Sequence, residues 1–566
     1  MDDLYFPLLK SWCDRLIELQ VRDTGVKELD GGILCPACHV IHGRCPDAIY
    51  PMMYLADATG EEKYLAAARK LFTWQQNMLT DEGSVYNDGN SDWQGITVFA
   101  AISLCEALSH HGGLLTADER AQWTARLEAM CGWLCRTLDE NYPTNINYPA
   151  TNAAAMALAG KYLARDEWLA CARRLAGFAM THFTREGFLR GEGKPREGRS
   201  PRGCYPVDIG YNVEESVPAL VKCALALGDG EMLEKLREIL RLQLNYFLPD
   251  GGWNNSFGTR SNKWTYWGSR TSDGCQGAYA LLGNDEPLFA ETARRNTALM
   301  RRCTHDGLLY GGPEYFENGE PACVHHTFTH ANALTAALEA GLSDASAELP
   351  CDADGFSAAH DEDVDTWRIT AGPWRATVTG YDYAVSAGHA TGGTLSLLWH
   401  REAGPVLLSS VLDYRLVEPH NMQLTLQRKR HRPLTPRVEY IRDGVRYAQC
   451  YDVHASISVR TEGETVWADV SAALVDAAQA PLAEGAFVSL RYGFCPDCTV
   501  IAGRVFGACA EKARLVLPVL AKDARVESET LCGDPEPIFF LTGGFGAREY
   551  LIAPDESGEF RAVIRV

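Results

Sequence analysis

The chain has 566 residues, of which 46% are hydrophobic and 10% aromatic, and its formal net charge is −21. This length exceeds what one hydrophobic core normally supports, so two or three domains are expected. The acidic balance disfavours nucleic-acid binding, because no broad basic surface would face a phosphate backbone, and no apolar run approaches the length of a membrane span.

The N-terminal stretch MDDLYFPLLKSW lacks the basic and continuously apolar regions of a signal peptide. Most of the 19 cysteines stand singly within helical patterns, where a free thiol behaves as a small apolar group. These features together predict reduced thiols and a cytoplasmic protein, with homo-oligomerisation left open.

Residues 1–345 are predicted to be helical. Apolar residues recur at helical spacing in six similar segments, each with an Ala-rich helix, a turn and a more charged amphipathic helix. The turns fall near Gly60, Gly112, Gly160, Gly228, Gly283 and Gly341. This recurrence predicts stacked helical hairpins with the Ala-rich helices inside, and six such hairpins can close into an (α/α)6 toroid.

The pattern changes after the helical region. Residues 346–365 are small, polar and acidic, and are interpreted as a linker. From residue 366, stretches such as SISVRTEGETVWADVSAAL alternate with period two between Gly, Asp and Asn turns. Residues 366–566 are therefore predicted to form an antiparallel β-sandwich domain.

A loop rich in polar and aromatic residues precedes each predicted inner helix. In a hairpin toroid all six loops would emerge at the same end and surround one cavity. They are 35–51, 85–95, 141–152, 204–216, 263–277 and 312–330. Aromatic faces that stack on sugar C–H groups, with amides, carboxylates and guanidinium groups for hydroxyls, make a sugar pocket. Any single loop could be a capped turn, but the coincidence of six predicts a binding site.

The candidate site residues follow from these loops. The catalytic candidates are Tyr211, Glu214, Asp92, His326 and His330. The substrate-binding candidates are Asn147, Asn152, Arg270, Trp93, Trp267, His42, Arg44 and Asp273. Because neighbouring residues on an α-helix point about 100° apart, only one of Glu214 and Glu215 is expected to face the pocket.

The order of a helical toroid and then an antiparallel β-domain resembles that of the heparinase II/III-like and alginate-lyase-like enzymes, and is also similar to the β-glucuronidases of glycoside hydrolase family 154. In the lyases an Asn of an inner helix neutralises the uronate carboxylate, and TNINYPATN offers Asn147 and Asn152 for this role. The resemblance also implies a functional Tyr before a later inner helix, matched by Tyr211 in DIGYNVEES. It implies a His further on, matched within VHHTFTH, which contains His325, His326 and His330.

Two mechanisms remain open for a uronic-acid-containing oligosaccharide. Hydrolysis needs a protonated acid and a second carboxylate. Elimination needs the uronate neutralised by Asn147 or Arg270, a base such as Tyr211 or a His, and an acid. A Tyr base requires a neighbouring cation, such as a histidinium or Arg202, to lower its pKa.

The surplus of carboxylates in the loops ranks hydrolysis first, as an exo-β-glucuronidase-type glycoside hydrolase that releases terminal glucuronate. A lyase that acts by β-elimination is the alternative, and a non-catalytic sugar-binding protein is the third hypothesis. His400 and Arg401 of the β-domain could lean over the pocket, although an edge position is the simpler interpretation.

The stretch CPACHVIHGRC combines a CxxC knuckle, Cys35 and Cys38, with nearby His42 and Cys45. A tetrahedral zinc ion could take Cys35, Cys38, Cys45 and one histidine. Zinc modules usually supply a second knuckle nearby, and none follows in the helical region. The favoured interpretation is therefore a loop of free thiols with His42 and Arg44 facing the pocket, and no cofactor is predicted.

Overall fold

The computed structural model of the protein describes residues 4–566 apart from several short segments. The residues outside this description are 90, 142–143, 194–197, 260–276, 344–345, 384–388, 411, 413–424, 484, 508 and 542. The described chain has a helical N-terminal region and a β-stranded C-terminal region, as the sequence predicts.

The helices lie in two concentric layers. The inner helices are α2 (Ile49–Thr59), α4 (Thr97–His111), α6 (Asn147–Tyr162), α9 (Val217–Leu227), α11 (Gly277–Leu281) and α13 (Val324–Glu339). The outer helices are α1 (Tyr5–Glu18), α3 (Glu62–Trp74), α5 (Ala117–Thr137), α7 (Asp166–Met180), α10 (Gly230–Gln243) and α12 (Pro287–Arg302). Before α9 lie the one-turn helix α8 (Ile209–Tyr211) and a π-helical turn, Asn212–Ser216.

The inner helices form a closed ring within the described part of the chain. Each packs against the next in the order α2, α4, α6, α9, α11, α13, and α13 packs against α2. The outer partner of α13 is α1, so both ends of the helical region contribute to the sixth hairpin. The predicted (α/α)6 toroid is confirmed, and its closure joins residues that are distant in the sequence.

Burial explains the two layers. On α6, NYPATNAAAMALAGKY, 12 of the 16 residues are buried, because small side chains let inner helices approach closely. On α10, GEMLEKLREILRLQ, burial is confined to one face that includes Met232, Leu236 and Leu240. Gly60 and Gly228 end inner helices α2 and α9 in left-handed backbone, with φ of 71° and 66°, which favours glycine.

Three antiparallel sheets follow the short ribbon of β1 (Thr304–His305) and β2 (Leu308–Leu309) in the described C-terminal region. The first sheet contains β3 (Phe356–Asp361), β4 (Thr366–Ala371), β5 (Trp374–Thr379), β6 (Thr394–His400) and β7 (Gly404–Leu408), in that spatial order. Strand β3 lies inside the stretch interpreted as a linker, so the β-region begins earlier than predicted.

The other two sheets pack as layers behind the first. In spatial order, one contains β16 (Glu536–Phe540), β17 (Phe545–Ile552), β14 (Arg514–Val519), β8 (Arg437–Arg442) and β9 (Val445–Ala448). The other contains β10 (Ser456–Glu462), β11 (Thr465–Ala473), β12 (Ala486–Cys495), β13 (Cys498–Gly507), β18 (Glu559–Arg565) and β15 (Arg525–Glu527). Alternate residues of β11 are buried, which confirms the period-two pattern of this segment.

The β-region docks onto the end of the toroid where the inner helices begin, which we call the rim. The Tyr381 hydroxyl donates to the Tyr205 carbonyl oxygen at 2.9 Å, and the Val207 N–H donates to the same hydroxyl at 3.2 Å. The Asn254 amide donates to the Thr377 hydroxyl at 2.7 Å. The β-region is therefore positioned to complete a site at the rim.

No described helix has the length and apolarity needed to cross a bilayer.

Candidate active site

The rim collects the N-terminal ends of the inner helices, because each inner helix follows a loop from the same side of the ring. Free N–H groups at these ends carry partial positive charge, which favours bound anions such as a uronate carboxylate. The rim is therefore suited to an anionic sugar even though the whole chain is acidic.

Asn147, the first residue of α6, is a central group of the rim. It is buried, and its Nδ2 donates to the Glu215 carboxylate at 2.6 Å. An amide nitrogen carries two N–H groups. Among the described residues, the Asn147 Nδ2 uses one of them, in the hydrogen bond to Glu215. The arrangement fixes the amide plane and leaves a second donor for a ligand oxygen.

The π-helical turn explains how Glu215 reaches Asn147. Pro218 has no N–H to donate to the Glu214 carbonyl, so a regular α-helix is disfavoured where α9 begins. The resulting i→i+5 turn is wider than an α-helical turn, so successive side chains diverge less. Both Glu214 and Glu215 consequently line the cavity of about 80 Å³ along the ring axis, here called the bore, which corrects the expectation that only one would.

Tyr211 ends α8 just before this turn. The Asp208 carboxylate caps α8 by accepting from the N–H groups of Gly210 and Tyr211 at 2.9 and 3.3 Å. Tyr211 is 6% exposed and stands outside the cluster of apolar core side chains. It lies one loop away from Asn147, and its role at the site stays a prediction.

A buried network around Thr259 links three rim segments with the β-region. The Thr259 hydroxyl donates to the Glu192 carbonyl oxygen at 2.7 Å, and its N–H donates to the Val207 carbonyl oxygen at 2.9 Å. The ring of His389, in the loop between β5 and β6, bonds to the backbone of Thr259. His389 is thereby held close to the segment that leads into Asp208 and Tyr211.

His389 was missed by the sequence analysis. It lies in SAGHATGG, a small-residue turn between strands, and only the docking of the β-region carries it to the rim. Burial lowers its pKa to about 4, so the imidazole is neutral at physiological pH. Sequence reasoning considered His400 as a β-domain histidine that could lean over the pocket but preferred an edge position for it. The structure packs that ring against Trp374, with centroids 4.4 Å apart, at the end of β6.

The predicted histidines of α13 are buried in the ring. Burial lowers the pKa of His330 to about 4, and its Nδ1 bonds to the His326 carbonyl oxygen at 2.7 Å. His330 is therefore neutral and cannot be the histidinium that a tyrosinate base would need. Arg202, the other expected cation, is paired with Asp365 and donates to the Ala455 carbonyl oxygen at 2.7 Å, so it fixes the β-region.

Loop 85–95 places its two candidates differently. Asp92 is exposed to solvent. Trp93 is half-buried, and its Nε1 donates to the Tyr148 hydroxyl at 3.1 Å. The two rings meet edge to face with centroids 5.3 Å apart, which leaves an aromatic wall beside Asn147.

Arg44 lines the bore, where its Nε donates to Asp47 at 2.8 Å and its guanidinium lies 4.0 Å from the Phe99 ring. Its charge is therefore partly matched inside the protein.

Asn152 is a clear departure from prediction. It is fully buried and donates to the carbonyl oxygens of Leu134 and Leu138 at 3.3 and 2.7 Å. It joins α6 to the end of α5 and does not reach the rim.

Three further candidates, Trp267, Arg270 and Asp273, lie outside the described residues.

The thiol loop also differs from prediction. Cys35, Cys38 and His42 do meet, but the fourth member of their cluster is Cys323, at the start of α13. Cys45 is excluded because it begins the 3-10 turn that leads into α2. The sequence signal was weak, since Cys323 stands alone in ACVHH and is remote from the knuckle.

The opposite end of the bore has a different chemistry. The Lys222 ammonium donates to both carboxylate oxygens of Glu106 at 2.9 and 3.0 Å. The two side chains come from inner helices α9 and α4, and they neutralise each other across the cavity. We call this pair the far end of the bore.

Comparison with protein families decides the relationship. A model of the ulvan lyase N-terminal domain matches residues 9–351, and a model of the ulvan lyase C-terminal domain matches residues 359–530. The chain belongs to the ulvan lyase family. A relative from Formosa agariphila, described as a broad-specificity ulvan lyase, is 38% identical over 472 residues, which are 81% of this chain and 73% of the relative.

Two solved structures are similar to this ulvan lyase family member. A variant of the chondroitin AC lyase of Streptomyces coelicolor A3 has a TM-score of 0.53 at 13% identity and covers 99% of this chain and 79% of its own. A heparan sulfate lyase from Pedobacter heparinus has a TM-score of 0.48 at 10% identity, with 99% and 82% covered. The first of these similarities supports the toroid and β-region architecture.

Family membership places the protein among carbohydrate-active enzymes that act on polysaccharides. The comparisons support the elimination alternative better than hydrolysis, which the sequence analysis ranked first. Neither a glycoside hydrolase nor a glucuronidase is supported by them.

Proposed function

We propose that the protein is a polysaccharide lyase that cleaves ulvan or a similar uronate-containing polysaccharide by β-elimination. The observation that carries this proposal is the buried Asn147 amide, held by Glu215 on the rim and joined through neighbouring loops to Tyr211 and His389. The name of the Formosa agariphila relative supports the choice of substrate.

The acidic groups of the rim fit hydrolysis poorly. A glycosidase holds its two carboxyl groups on opposite sides of the scissile bond, about 5.5 or 9 Å apart. Glu214 and Glu215 are adjacent on one wall, and Glu215 is bonded to Asn147. Asp92 is exposed. Among the described candidates, these residues do not form a flanking pair.

Elimination can use groups that are neutral in the free protein. In our proposal the Asn147 amide binds the uronate carboxylate and so acidifies the C5 proton. The neutral His389 imidazole takes that proton as the base. The electron pair forms the C4–C5 double bond, the C4–O bond breaks, and the Tyr211 hydroxyl gives its proton to the leaving oxygen. No water is consumed, and no tyrosinate is required.

The test compares two products of one digestion. Purified protein is incubated with ulvan, and new reducing ends are counted alongside the ultraviolet absorbance of an unsaturated uronate. Elimination predicts that both rise in equal amounts. New reducing ends without the absorbance would instead indicate hydrolysis, and binding without either product would indicate a sugar-binding protein.

A further inference from the structure

Cys35, Cys38, His42 and Cys323 form a compact cluster, here called the thiol cluster, at the edge of the rim. One possible ligand atom from each residue lies within 4.8 Å of all the others. Cys35, His42 and Cys323 are buried, and Cys38 is partly buried. The described cysteines are free thiols, so no disulfide accounts for the arrangement.

The spacing of the cluster matches that of a tetrahedral zinc site. The Cys323 Sγ lies 3.7 Å from the Sγ atoms of both Cys35 and Cys38, and 3.7 Å from the His42 Nε2. Tetrahedral geometry with Zn–S of about 2.3 Å and Zn–N of about 2.0 Å requires about 3.8 Å between sulfurs and about 3.5 Å between sulfur and nitrogen. The observed distances are within about 0.2 Å of these values.

The surroundings of the cluster are those of a metal site as well. The Asp88 carboxylate lies 2.9 Å from the His42 Nδ1, so the other nitrogen, Nε2, is turned toward the thiols. A carboxylate behind a ligating histidine fixes its tautomer and ring orientation. The Cys38 N–H points to the Cys35 Sγ at 3.4 Å, which favours a thiolate at Cys35.

We propose that Cys35, Cys38, His42 and Cys323 bind a structural zinc ion. The ion would cross-link the two ends of the toroid, where α2 meets α13. Three thiolates and one imidazole in a tetrahedral arrangement favour zinc over magnesium, calcium or manganese, which prefer oxygen ligands. All four positions are filled by protein atoms, so the ion has no open site for substrate and its role is structural.

The proposed zinc ion joins segments that are far apart in the chain. Cys35 and Cys323 are separated by 288 residues and lie before the first and the last inner helices, α2 and α13. A cross-link over a long loop removes much conformational freedom from the unfolded chain. Asp88 and the backbone bond from the Gly43 N–H to the Asn87 carbonyl oxygen, at 2.7 Å, extend the connection to loop 85–95. The ion therefore orders three of the six rim loops.

The direct test is the metal content of the intact protein. Protein purified from zinc-supplemented cells without chelator is analysed by inductively coupled plasma mass spectrometry, and about one zinc per chain is expected. Replacement by Co²⁺ should give the thiolate-to-metal and d–d absorption bands of a tetrahedral sulfur-rich site. Protein that carries no stoichiometric metal, or a disulfide between Cys35 and Cys38 found by mass spectrometry, would overturn the proposal.

Matched variants locate the ion. Cys38→Ser is the mildest change, because Cys38 is the most accessible of the ligands, and it should lower zinc content at least tenfold at equal chelator concentration. Cys45→Ser, in the same loop but outside the cluster, should retain the metal. If Cys38→Ser does not fold, zinc release from the wild-type protein by a thiol-blocking mercurial, measured with a colour indicator, gives the answer. Full retention of zinc by a folded Cys38→Ser or Cys323→Ser variant would place the ion elsewhere and refute the proposal.

Discussion

The rim and the far end of the bore are both polar and at least partly buried, yet they are built differently. At the far end, Glu106 and Lys222 come from two inner helices and neutralise each other at 2.9 and 3.0 Å. At the rim, the Glu215 carboxylate accepts from the uncharged amide of Asn147, and loops and the β-region supply the neighbouring groups. The far end therefore contains groups that satisfy one another, while the rim collects polar groups from several loops that we propose bind a ligand.

Removal of the Tyr211 hydroxyl is the change that most directly tests this difference. Tyr211→Phe should lower kcat by roughly 10²–10⁴-fold, because the leaving oxygen loses its acid. In D₂O the variant should still exchange the C5 proton of the substrate, since His389 remains in place. Digestion rates and C5 deuterium content, measured by mass spectrometry, check both expectations.

Tyr205→Phe is the control for this prediction. Its ring packs beside the Arg199 guanidinium at 4.1 Å, a contact that phenylalanine keeps, so activity should stay near that of the wild type. His389→Gln should abolish both cleavage and C5 exchange, whereas His400→Gln, which removes another buried imidazole of the β-region, should abolish neither. Loss of exchange in Tyr211→Phe together with retention in His389→Gln would reverse the two roles.

The Asn147 amide gives the next largest effect. Asn147→Ala should reduce kcat/KM by roughly 10²–10³-fold, because a preorganised donor to the developing charge is lost. Asn147→Asp should be worse, since a second carboxylate would face the uronate. Asn152→Ala is informative beside it: this residue binds the carbonyl oxygens of Leu134 and Leu138, so its loss should lower the melting temperature and leave kcat largely unchanged. Equal losses of kcat in Asn147→Ala and Asn152→Ala would contradict the assignment of Asn147 to the site and of Asn152 to the structural core.

The far end should respond in stability and not in chemistry. Lys222→Met leaves Glu106 without its cation, and we expect a loss of about 3 kcal/mol in the free energy of unfolding. The double variant Glu106→Gln/Lys222→Met should recover most of this loss, because no buried charge is left unmatched. Urea unfolding and kcat of the folded fraction are the measurements. A large fall in kcat with unchanged stability would make the far end part of the active site.

A pH dependence of stability is expected from the buried imidazoles of His330 in α13 and His389 in the β-region. Burial lowers the pKa of His330 and His389 to about 4, whereas an unfolded histidine titrates near 6.5. The unfolded chain therefore binds protons first as pH falls. The stability from the neutral imidazoles is complete above about pH 6.5 and is lost between about pH 6.5 and 4.

His330→Asn isolates one of these protons. It should reduce the slope of unfolding free energy against pH by about 1.4 kcal/mol per pH unit within that window. His454→Gln changes an exposed histidine of the β-region and is the comparison variant. Urea titrations at about pH 4.5, 5.5 and 6.5 measure the slope of unfolding free energy against pH for each variant. These values cover most of the range between the folded and unfolded pKa of the histidine. An unchanged slope in His330→Asn would show that its imidazole is not held neutral.

The sequence by itself determined the two regions, because their signals are local. Helical spacing with Ala-rich inner segments is enough to predict α6 and α9, and period-two alternation is enough to predict β11. Polar loops before the inner helices also predicted Asn147, Trp93 and Tyr211 as site residues, and these assignments stay predictions. The helix and strand predictions depend only on the spacing of apolar residues, and the loop predictions depend only on local composition.

Only the tertiary structure decided which distant groups meet. His389 reaches the rim because the β-region docks there, and Cys323 joins Cys35 because the ring closes between α2 and α13. The interpretation of Asn152 as a rim residue was wrong, since its amide donates hydrogen bonds to carbonyl oxygens at the end of the neighbouring helix. Contacts between segments hundreds of residues apart depend on closure and docking of whole layers, and no spacing within one segment encodes them.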